Sequence, residues 1–144
     1  MRQKSKGTHL ILIELMLALF FFAVCGSILI QVFVKAHNVS VKAKELTETK
    51  NYVTQAAELI KSGTYEKEGF LEYFPQIEGK EGSYQCSFDK NWKQVSKEKA
   101  VYQMKITLSK KGLHTSGKIT MLKEKKQIYH LKIERYEPAG KGRS

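Results

Sequence analysis

The chain has 144 residues, of which 25 are Lys or Arg and 14 are Asp or Glu, so its formal net charge is +11. This length accommodates one membrane segment and one small domain, and it excludes a second globular domain. Lysines occur in nearly every segment, so the charge indicates a solvated surface first and a polyanion-binding patch second. Cys25 lies in an apolar segment and Cys86 in the polar part, which excludes an intramolecular disulfide between them.

The segment 10–34 reads LILIELMLALFFFAVCGSILIQVFV and is interrupted only by Glu14, Ser27 and Gln31. About 20 apolar residues in an α-helix cross a hydrocarbon core of ~30 Å. The sequence therefore predicts a transmembrane helix over residues 10–34.

The leader 1–9 decides the predicted orientation. It carries Arg2, Lys4 and Lys6 and no acidic residue, and positive charge beside a span is retained in the cytoplasm. The N-terminus is therefore predicted to be cytoplasmic, and the residues after the span to be exported. Their own lysines would favour the opposite orientation in a short loop, but long domains are translocated largely regardless of charge.

Two processing signals give alternative interpretations of this segment. A cleaved signal peptide has an apolar core of about 7–15 residues. Here the apolar run is longer, and six further apolar residues follow Ser27, which disfavours cleavage. The sequence around Cys25 is similar to a lipoprotein box, in which the cysteine is acylated, but such a box has a small residue where Val24 stands.

Glu14 is the candidate functional residue of the span. An ionisable group inside a spanning helix costs roughly 2.5–3.5 kcal/mol at the bilayer centre and needs a partner. Its neighbours at three and four residues include no cation, so a charged partner would come from another chain or from the lipid interface. The alternative is snorkelling, because Glu14 lies about one turn into the apolar run and its side chain can tilt toward the cytoplasmic headgroups.

Residues 7–16, GTHLILIELM, resemble the N-terminal signature of type IV pilins and type II secretion pseudopilins. The likeness extends loosely to about Gly63 and does not cover the C-terminal domain. It implies a bacterial cytoplasmic membrane location, cleavage by a prepilin peptidase between Gly7 and Thr8, and methylation of the new N-terminus. It also implies assembly with other pilin-like subunits, in which Glu14 offsets the N-terminal amine of a neighbour.

One spacing departs from the family pattern. The family glycine stands five residues before the glutamate, whereas Gly7 stands seven residues before Glu14, and His9 occupies the fifth position. A start at Thr8 would therefore shift the glutamate by about half a helical turn. This spacing fits a divergent minor pseudopilin, or a pilin-like protein that is no longer processed, better than a major pilin.

Residues 35–62 continue the helix without glycine or proline. Their apolar positions form one narrow stripe: Val39, Ala43, Leu46, Val53, Ala56, Ala57 and Ile60. Lysines and glutamates cover the other faces, so we expect an amphipathic helix that lays the stripe on a sheet and ends at Gly63. A coiled-coil seam is the alternative, although the small alanines favour a sheet.

The C-terminal domain, 63–144, alternates apolar and polar residues. The alternation predicts four strands, at about 84–88, 102–108, 119–121 and 129–133. Polar turns at 110–112 and 124–126 make them an antiparallel meander with one covered face. The predicted fold is α+β: a long transmembrane helix that continues as an amphipathic helix packed on a four-stranded antiparallel sheet, as the pilin resemblance also implies.

No catalytic constellation, metal-ligand spacing or phosphate loop appears in the sequence, so a non-enzymatic protein without a cofactor is predicted. Cys86 alternates with Tyr84 and Phe88, which indicates a buried, inert thiol. Trp92 fits either the core or an exposed loop.

Two function classes remain. The first is a minor pseudopilin subunit of a type IV pilus-like, type II secretion or DNA-uptake assembly, with the lipid bilayer and other pilin-like subunits as partners. The second is a membrane-anchored binding module with a basic surface for nucleic acid or an anionic wall polymer. The lysines available for such a surface are Lys105, Lys110, Lys111, Lys118, Lys123, Lys125, Lys126 and Lys132.

Overall fold

The computed structural model describes residues 2–138, with side chains from residue 6 onward. The chain falls into two compact units, Met1–Glu45 and Leu46–Ser144, and helix α1 (Arg2–Ser62) contributes residues to both. The second unit also contains a short 3₁₀ helix, Lys97–Lys99. Its other elements, in chain order, are α2 (Lys67–Leu71), β1 (Glu78–Lys80), β2 (Ser83–Phe88), β3 (Gln94–Val95), β4 (Tyr102–Lys111), β5 (His114–Lys123) and β6 (Lys126–Tyr136).

The first unit is helical throughout its described residues. The large apolar side chains of residues 10–34 are exposed, from 41% at Val24 to 79% at Phe22. Among the described residues, one helix is long and apolar enough to cross a membrane, with a mean hydropathy of 2.5 over its most apolar window. The predicted long apolar N-terminal helix is thereby confirmed.

The part of α1 in the second unit buries one face. Thr49, Val53, Ala56, Ala57 and Ile60 are at most 2% exposed, and their spacing of three and four residues places them on one side of the helix. The stretch of helix from Thr49 to Ile60, twelve residues, rises about 18 Å, close to the ~20 Å length of a six-residue strand such as β2.

The predicted apolar stripe is therefore correct only in its second half. Val39 and Leu46 are 62% and 53% exposed, so the buried face begins at Thr49. Periodicity indicated which face of the helix is apolar, but it did not show how many of its turns are buried.

The helix ends where the sequence predicts. Gly63 has a φ of 98°, its N–H donates to the carbonyl of Ile60 at 3.1 Å, and the N–H of Thr64 donates to the carbonyl of Leu59 at 3.0 Å. This pair of bonds is a Schellman motif, in which glycine adopts the left-handed conformation at low cost and satisfies the last helical carbonyls.

The sheet contains the four predicted strands as an antiparallel meander, β2-β4-β5-β6, with turns at 112–113 and 124–125. Over the described residues the sheet has six strands, so the predicted count of four is too low. β1 and β3 pair with the two halves of the free edge of β2. With three and two residues, and with Gly79 in the middle of β1, neither short strand is long enough to show an alternating pattern.

Trp92 belongs to the core. It is 8% exposed and stacks on Tyr102, with ring centroids 4.0 Å apart. The ring of Tyr52 of α1 lies 6.0 Å from the Trp92 ring, and the Tyr52 hydroxyl donates to the Trp92 carbonyl at 2.9 Å. The φ of 63° at Trp92 is unusual for a bulky residue. The carboxylate of Asp89 accepts the N–H groups of Asn91 and Lys93 and holds the loop in this conformation.

We expect Val53→Asp to unfold the second unit, because Val53 is 1% exposed and an unpaired charge at this position costs several kcal/mol of a total stability of about 5–15 kcal/mol. Val39→Asp is the matched control, since Val39 is 62% exposed and its substitution is expected to change stability by less than about 0.5 kcal/mol. Thermal unfolding of both full-length variants in detergent measures the difference. Equal melting temperatures for the two variants would contradict the described core.

Candidate functional site

Glu14 lies on the exposed apolar part of α1. No ion pair in the described part of the chain includes it. Ser27, in the same segment, donates its hydroxyl to the Ala23 carbonyl one turn earlier at 3.1 Å and is satisfied by its own helix. Gln31 stands three residues before the end of the run, where an amide can reach the headgroup region. Glu14 is the charged residue of this run, and it lies about one turn from the start of the run, so its carboxylate either tilts towards the headgroups or meets a cation of another molecule.

The candidate peptidase site, Gly7 and Thr8, lies within α1, which begins at Arg2. A Cβ added at Gly7 would have no other heavy atom within 4 Å, so packing does not require glycine at this position. Cleavage between these residues would need the first turns of the helix to open locally, which terminal turns do at low cost.

The predicted basic residues do not form one surface. Lys105 and Lys118 lie on the sheet face opposite α1, Lys110 and Lys111 beside the β4–β5 turn, and Lys123, Lys125 and Lys126 at the β5–β6 turn, at the other end of the same strands. Two of these lysines, Lys110 and Lys123, lie over the rings of Tyr65 and Tyr102 at 5.8 and 5.5 Å.

Carboxylates also neutralise part of this charge. Lys110 is 3.8 Å from Glu137, and Lys132 is 2.8 Å from Glu134. The pair formed by Lys132 and Glu134 raises the pKa of the lysine and lowers that of the glutamate. Because both side chains are well exposed, this pair contributes little to stability.

Cys86 is buried in the core, at 1% exposure, as the alternation predicts. Its thiol lies 3.6 Å from the side-chain oxygen of Gln94. Burial raises its pKa to about 12, because the thiolate would lose its hydration. Nucleophilic chemistry at neutral pH needs the opposite shift.

The two histidines of the second unit, His114 and His130, lie apart. The His114 ring packs edge-on against Tyr136 at 5.4 Å, and the imidazole of His130 is 3.1 Å from the amide of Gln127. In the described residues, no three His, Cys, Asp or Glu side chains form a group that could hold a metal ion.

A polar cluster around Tyr65 was not predicted from the sequence. Arg135 donates to the Tyr65 hydroxyl at 2.9 Å, and that hydroxyl lies 3.3 Å from the carboxylate of Glu137. Tyr84 donates to the Tyr65 carbonyl at 3.0 Å. The cluster joins the end of β6 to the loop after α1 over more than 60 residues of chain, and no local pattern signals contacts of that range.

Comparison of the chain with protein-family models, with curated proteins and with solved structures finds no match. The candidate site consequently rests on residues and geometry alone.

We predict that Cys86 resists alkylation until the protein unfolds. At pH 9 an ordinary thiol is about half ionised, whereas a thiol with a pKa of about 12 is ionised to about one part in a thousand. In a Cys25→Ser background, the native rate with iodoacetamide is expected to be at least about 100-fold below the rate in denaturant. A fast native reaction would contradict the buried position.

The same pKa predicts a pH dependence of stability. The folded-state pKa lies above the ordinary value of 9.0, so the stabilisation from the neutral buried thiol is complete below pH 9 and is lost as the pH rises from 9 towards 12. Cys86→Ala is expected to flatten this decline in the free energy of unfolding.

Proposed function

We propose that this protein is a non-enzymatic, pilin-like subunit, of the minor pseudopilin kind, in a type IV pilus-like, type II secretion or DNA-uptake assembly. In this proposal residues 10–34 anchor it in the bacterial cytoplasmic membrane by a single pass, with the leader 1–9 in the cytoplasm and the second unit outside. The observation that carries the proposal is an unpartnered carboxylate, Glu14, early in the exposed apolar part of a helix that contains the pilin-like sequence GTHLILIELM.

The apolar surface supports the anchoring step. Within residues 10–34, seventeen residues are Leu, Ile, Phe or Val, and this surface is exposed along its whole length. At about 0.3–0.6 kcal/mol each, such residues favour insertion by roughly 5–10 kcal/mol, well above the roughly 2.5–3.5 kcal/mol cost of the carboxylate. The helix therefore tolerates Glu14 in the membrane, and insertion does not require it.

Glu14 supports the assembly step. A carboxylate in a low-dielectric environment is stabilised by a cation, and the chain supplies none at three or four residues from it. An amine from a neighbouring subunit would supply the missing charge, as the resemblance implies. With the altered spacing to Gly7, that amine can be an uncleaved N-terminus or a leader lysine.

The structure of the second unit is compatible with this role. Helix α1 runs without interruption to Ser62, and its last turns form the helical layer of the core. The alternative of a basic binding module is less well supported, because its lysines are divided among three parts of the second unit and two of them lie over tyrosine rings.

We expect Glu14→Leu to leave membrane insertion and the melting temperature of the second unit unchanged while lowering co-purification with other pilin-like subunits at least about tenfold, the effect of losing one charge-assisted hydrogen bond. Glu14→Gln should lower it as well, because the charge is lost although the shape is kept. Gln31→Leu, a polar-to-apolar change in the same run, is the control and should have no effect. If Glu14→Leu co-purifies like the unchanged protein, snorkelling explains the residue and the assembly role is wrong.

The mature chain is expected to retain residues 10–34 and to begin at either Met1 or Thr8. Intact-mass measurement of the membrane-extracted protein distinguishes the two starts, and a start at Thr8 should disappear in Gly7→Ala. A chain that begins near Cys25 or Gly26 would show that the apolar helix is removed, and it would refute the membrane anchor.

A further inference from the structure

The second unit carries opposite charge on separate segments of its chain. The 3₁₀ helix and the β5–β6 turn, residues 97–99 and 123–126, contain five lysines against two glutamates, a formal charge of +3. The segment 66–81, which includes α2 and β1, contains five glutamates against two lysines, a formal charge of −3. Surfaces of opposite sign on one chain can attract each other between copies of that chain.

The β5–β6 turn projects from one end of the sheet. Lys123 pairs with Lys126, so two residues, Glu124 and Lys125, form the turn, and both have positive φ, of 48° and 70°. Such a turn is tight, so the strands stay paired up to its tip. Lys125 and Lys126 are exposed, and no ion pair in the described part of the chain includes either of them. We call residues 123–126 the basic turn.

A cleft at the other end of the sheet is acidic. It has a volume of about 300 Å³ and lies in the loop between α1 and α2, where Glu66 and Glu68 line it together with Thr64. Both glutamates are exposed. The Glu66 side chain makes no hydrogen bond to the start of α2, and neither glutamate belongs to an ion pair of the described residues. We call this cleft the acidic cleft.

The cations beside the acidic cleft do not pair with its glutamates. Lys110 and Arg135 lie over the ring of Tyr65, which also lines the cleft, at 5.8 and 6.0 Å. Lys110 is 3.8 Å from Glu137, and Arg135 donates to the Tyr65 hydroxyl at 2.9 Å. Lys67 stands between the two cleft glutamates in the sequence and, within the described residues, forms no ion pair with either. The cleft therefore keeps its negative charge.

The basic turn and the acidic cleft cannot meet within one copy. Gly63, at the edge of the cleft, lies against the Arg135 side chain, and Arg135 stands nine residues along β6 from Lys126. Nine residues of strand extend roughly 30 Å, which the side chains of a lysine and a glutamate do not span. Contact between the two surfaces therefore requires a second molecule. Because the surfaces are unlike, such a contact is heterologous and leaves one surface of each kind free for a further copy.

We propose that the basic turn of one copy docks in the acidic cleft of a second copy. In this contact Lys125 and Lys126 face Glu66 and Glu68, so each surface meets the opposite charge that its own copy does not provide. At about 300 Å³ the cleft has the size of a small ligand site and can take the tip of such a turn. The inference goes beyond the proposed function, because it assigns a contact between second units, and it depends neither on Glu14 nor on membrane anchoring.

A second copy accounts for both surfaces at once. A nucleic acid would account only for the basic turn, which carries no aromatic residue on which bases could stack. A metal ion would account only for the acidic cleft, and in the described residues no three His, Cys, Asp or Glu side chains form a group that could hold one. The equal and opposite charges of the two segments match each other.

Cross-linking between two differently marked chains tests the contact. One full-length chain carries Cys25→Ser and Gln127→Cys, beside the basic turn, and the other carries Cys25→Ser and Thr64→Cys, in the acidic cleft, while Cys86 is buried in both. The chains are mixed in detergent, with micelles in large excess, and treated with a short bismaleimide. A covalent dimer is expected in the mixture and not with either chain alone. Its yield should fall at about 1 M salt, where the Debye length is ~3 Å.

Charge reversal identifies the two surfaces. Lys125→Glu/Lys126→Glu in the chain that carries Gln127→Cys should lower the cross-linking yield at least about tenfold, because like charges then face each other. The yield should recover when the second chain carries Glu66→Lys/Glu68→Lys, because the facing charges are again opposite.

The matched control, Lys105→Glu/Lys118→Glu, makes the same change in net charge on the sheet face opposite α1 and should leave the yield unchanged. Thermal unfolding checks that every variant is folded. Association through the apolar helices or through Glu14 would not follow the exchange of charges in the second unit, so the test separates this contact from the proposed assembly role.

Three results would overturn the proposal. The first is cross-linking of either chain with itself as fast as with the other chain, which would show random collision. The second is an equal loss in the control and in the basic-turn variant, which would show an effect of net charge and not of this surface. The third is a loss in the basic-turn variant that reversal of the two cleft glutamates does not restore, which would assign the basic turn to a different partner.

Discussion

The second unit depends on covering one face of its sheet with a short stretch of helix. The central strands present Met104, Ile106, Ile119 and Met121 to this face, and all four are fully buried. Helix α1 approaches closely because its contact positions include Ala56 and Ala57 and because Gly117 faces Ile60. A Cβ at Gly117 would lie 3.3 Å from side-chain atoms of both Ile60 and Leu108, so even alanine would press on the helix.

This dependence makes the last turns of α1 part of the core as well as the continuation of the apolar segment. Removing residues 46–62 would expose the apolar face of the sheet to water, at about 25 cal/mol for each Å². The helix in turn gains stability from that packing, since most helical stability in proteins comes from the burial of an apolar face. The boundary between the two units therefore lies inside a single helix.

The sequence predicted features that repeat or that depend on local chemistry. The apolar run, the end of α1 at Gly63 and the four long strands follow from composition, a glycine signal and a period of two, and all are present in the structure. Contacts between distant residues were not predictable. β1 and β3 lie along the free edge of β2, Trp92 is buried against the rings of Tyr52 and Tyr102, and the buried stripe of α1 begins only at Thr49.

The candidate site, too, could be predicted from the sequence only in part. The sequence predicted that Glu14 lies in the apolar run and that Lys125 lies in a turn. Only the structure shows that Lys97 lines a cleft beside that turn, whereas Lys110 lies at the other end of β4. Lysine is a common surface residue, and a list of lysines carries no information on which of them share a surface. The register of the strands shows which lysines lie together, because residues at the two ends of a ten-residue strand are separated by roughly 30 Å.

The three polar residues of the apolar run differ in how their hydrogen-bonding groups are satisfied. Ser27 is satisfied by its own helix and Gln31 is near the boundary of the run, so neither needs another molecule. Glu14 carries a charge that its own helix does not pair, and the seventeen strongly apolar residues of the run make insertion favourable with or without it. Glu14 costs free energy in lipid and contributes nothing to the core of the second unit. The proposed assembly role therefore depends on Glu14 and not on a residue of the folded unit.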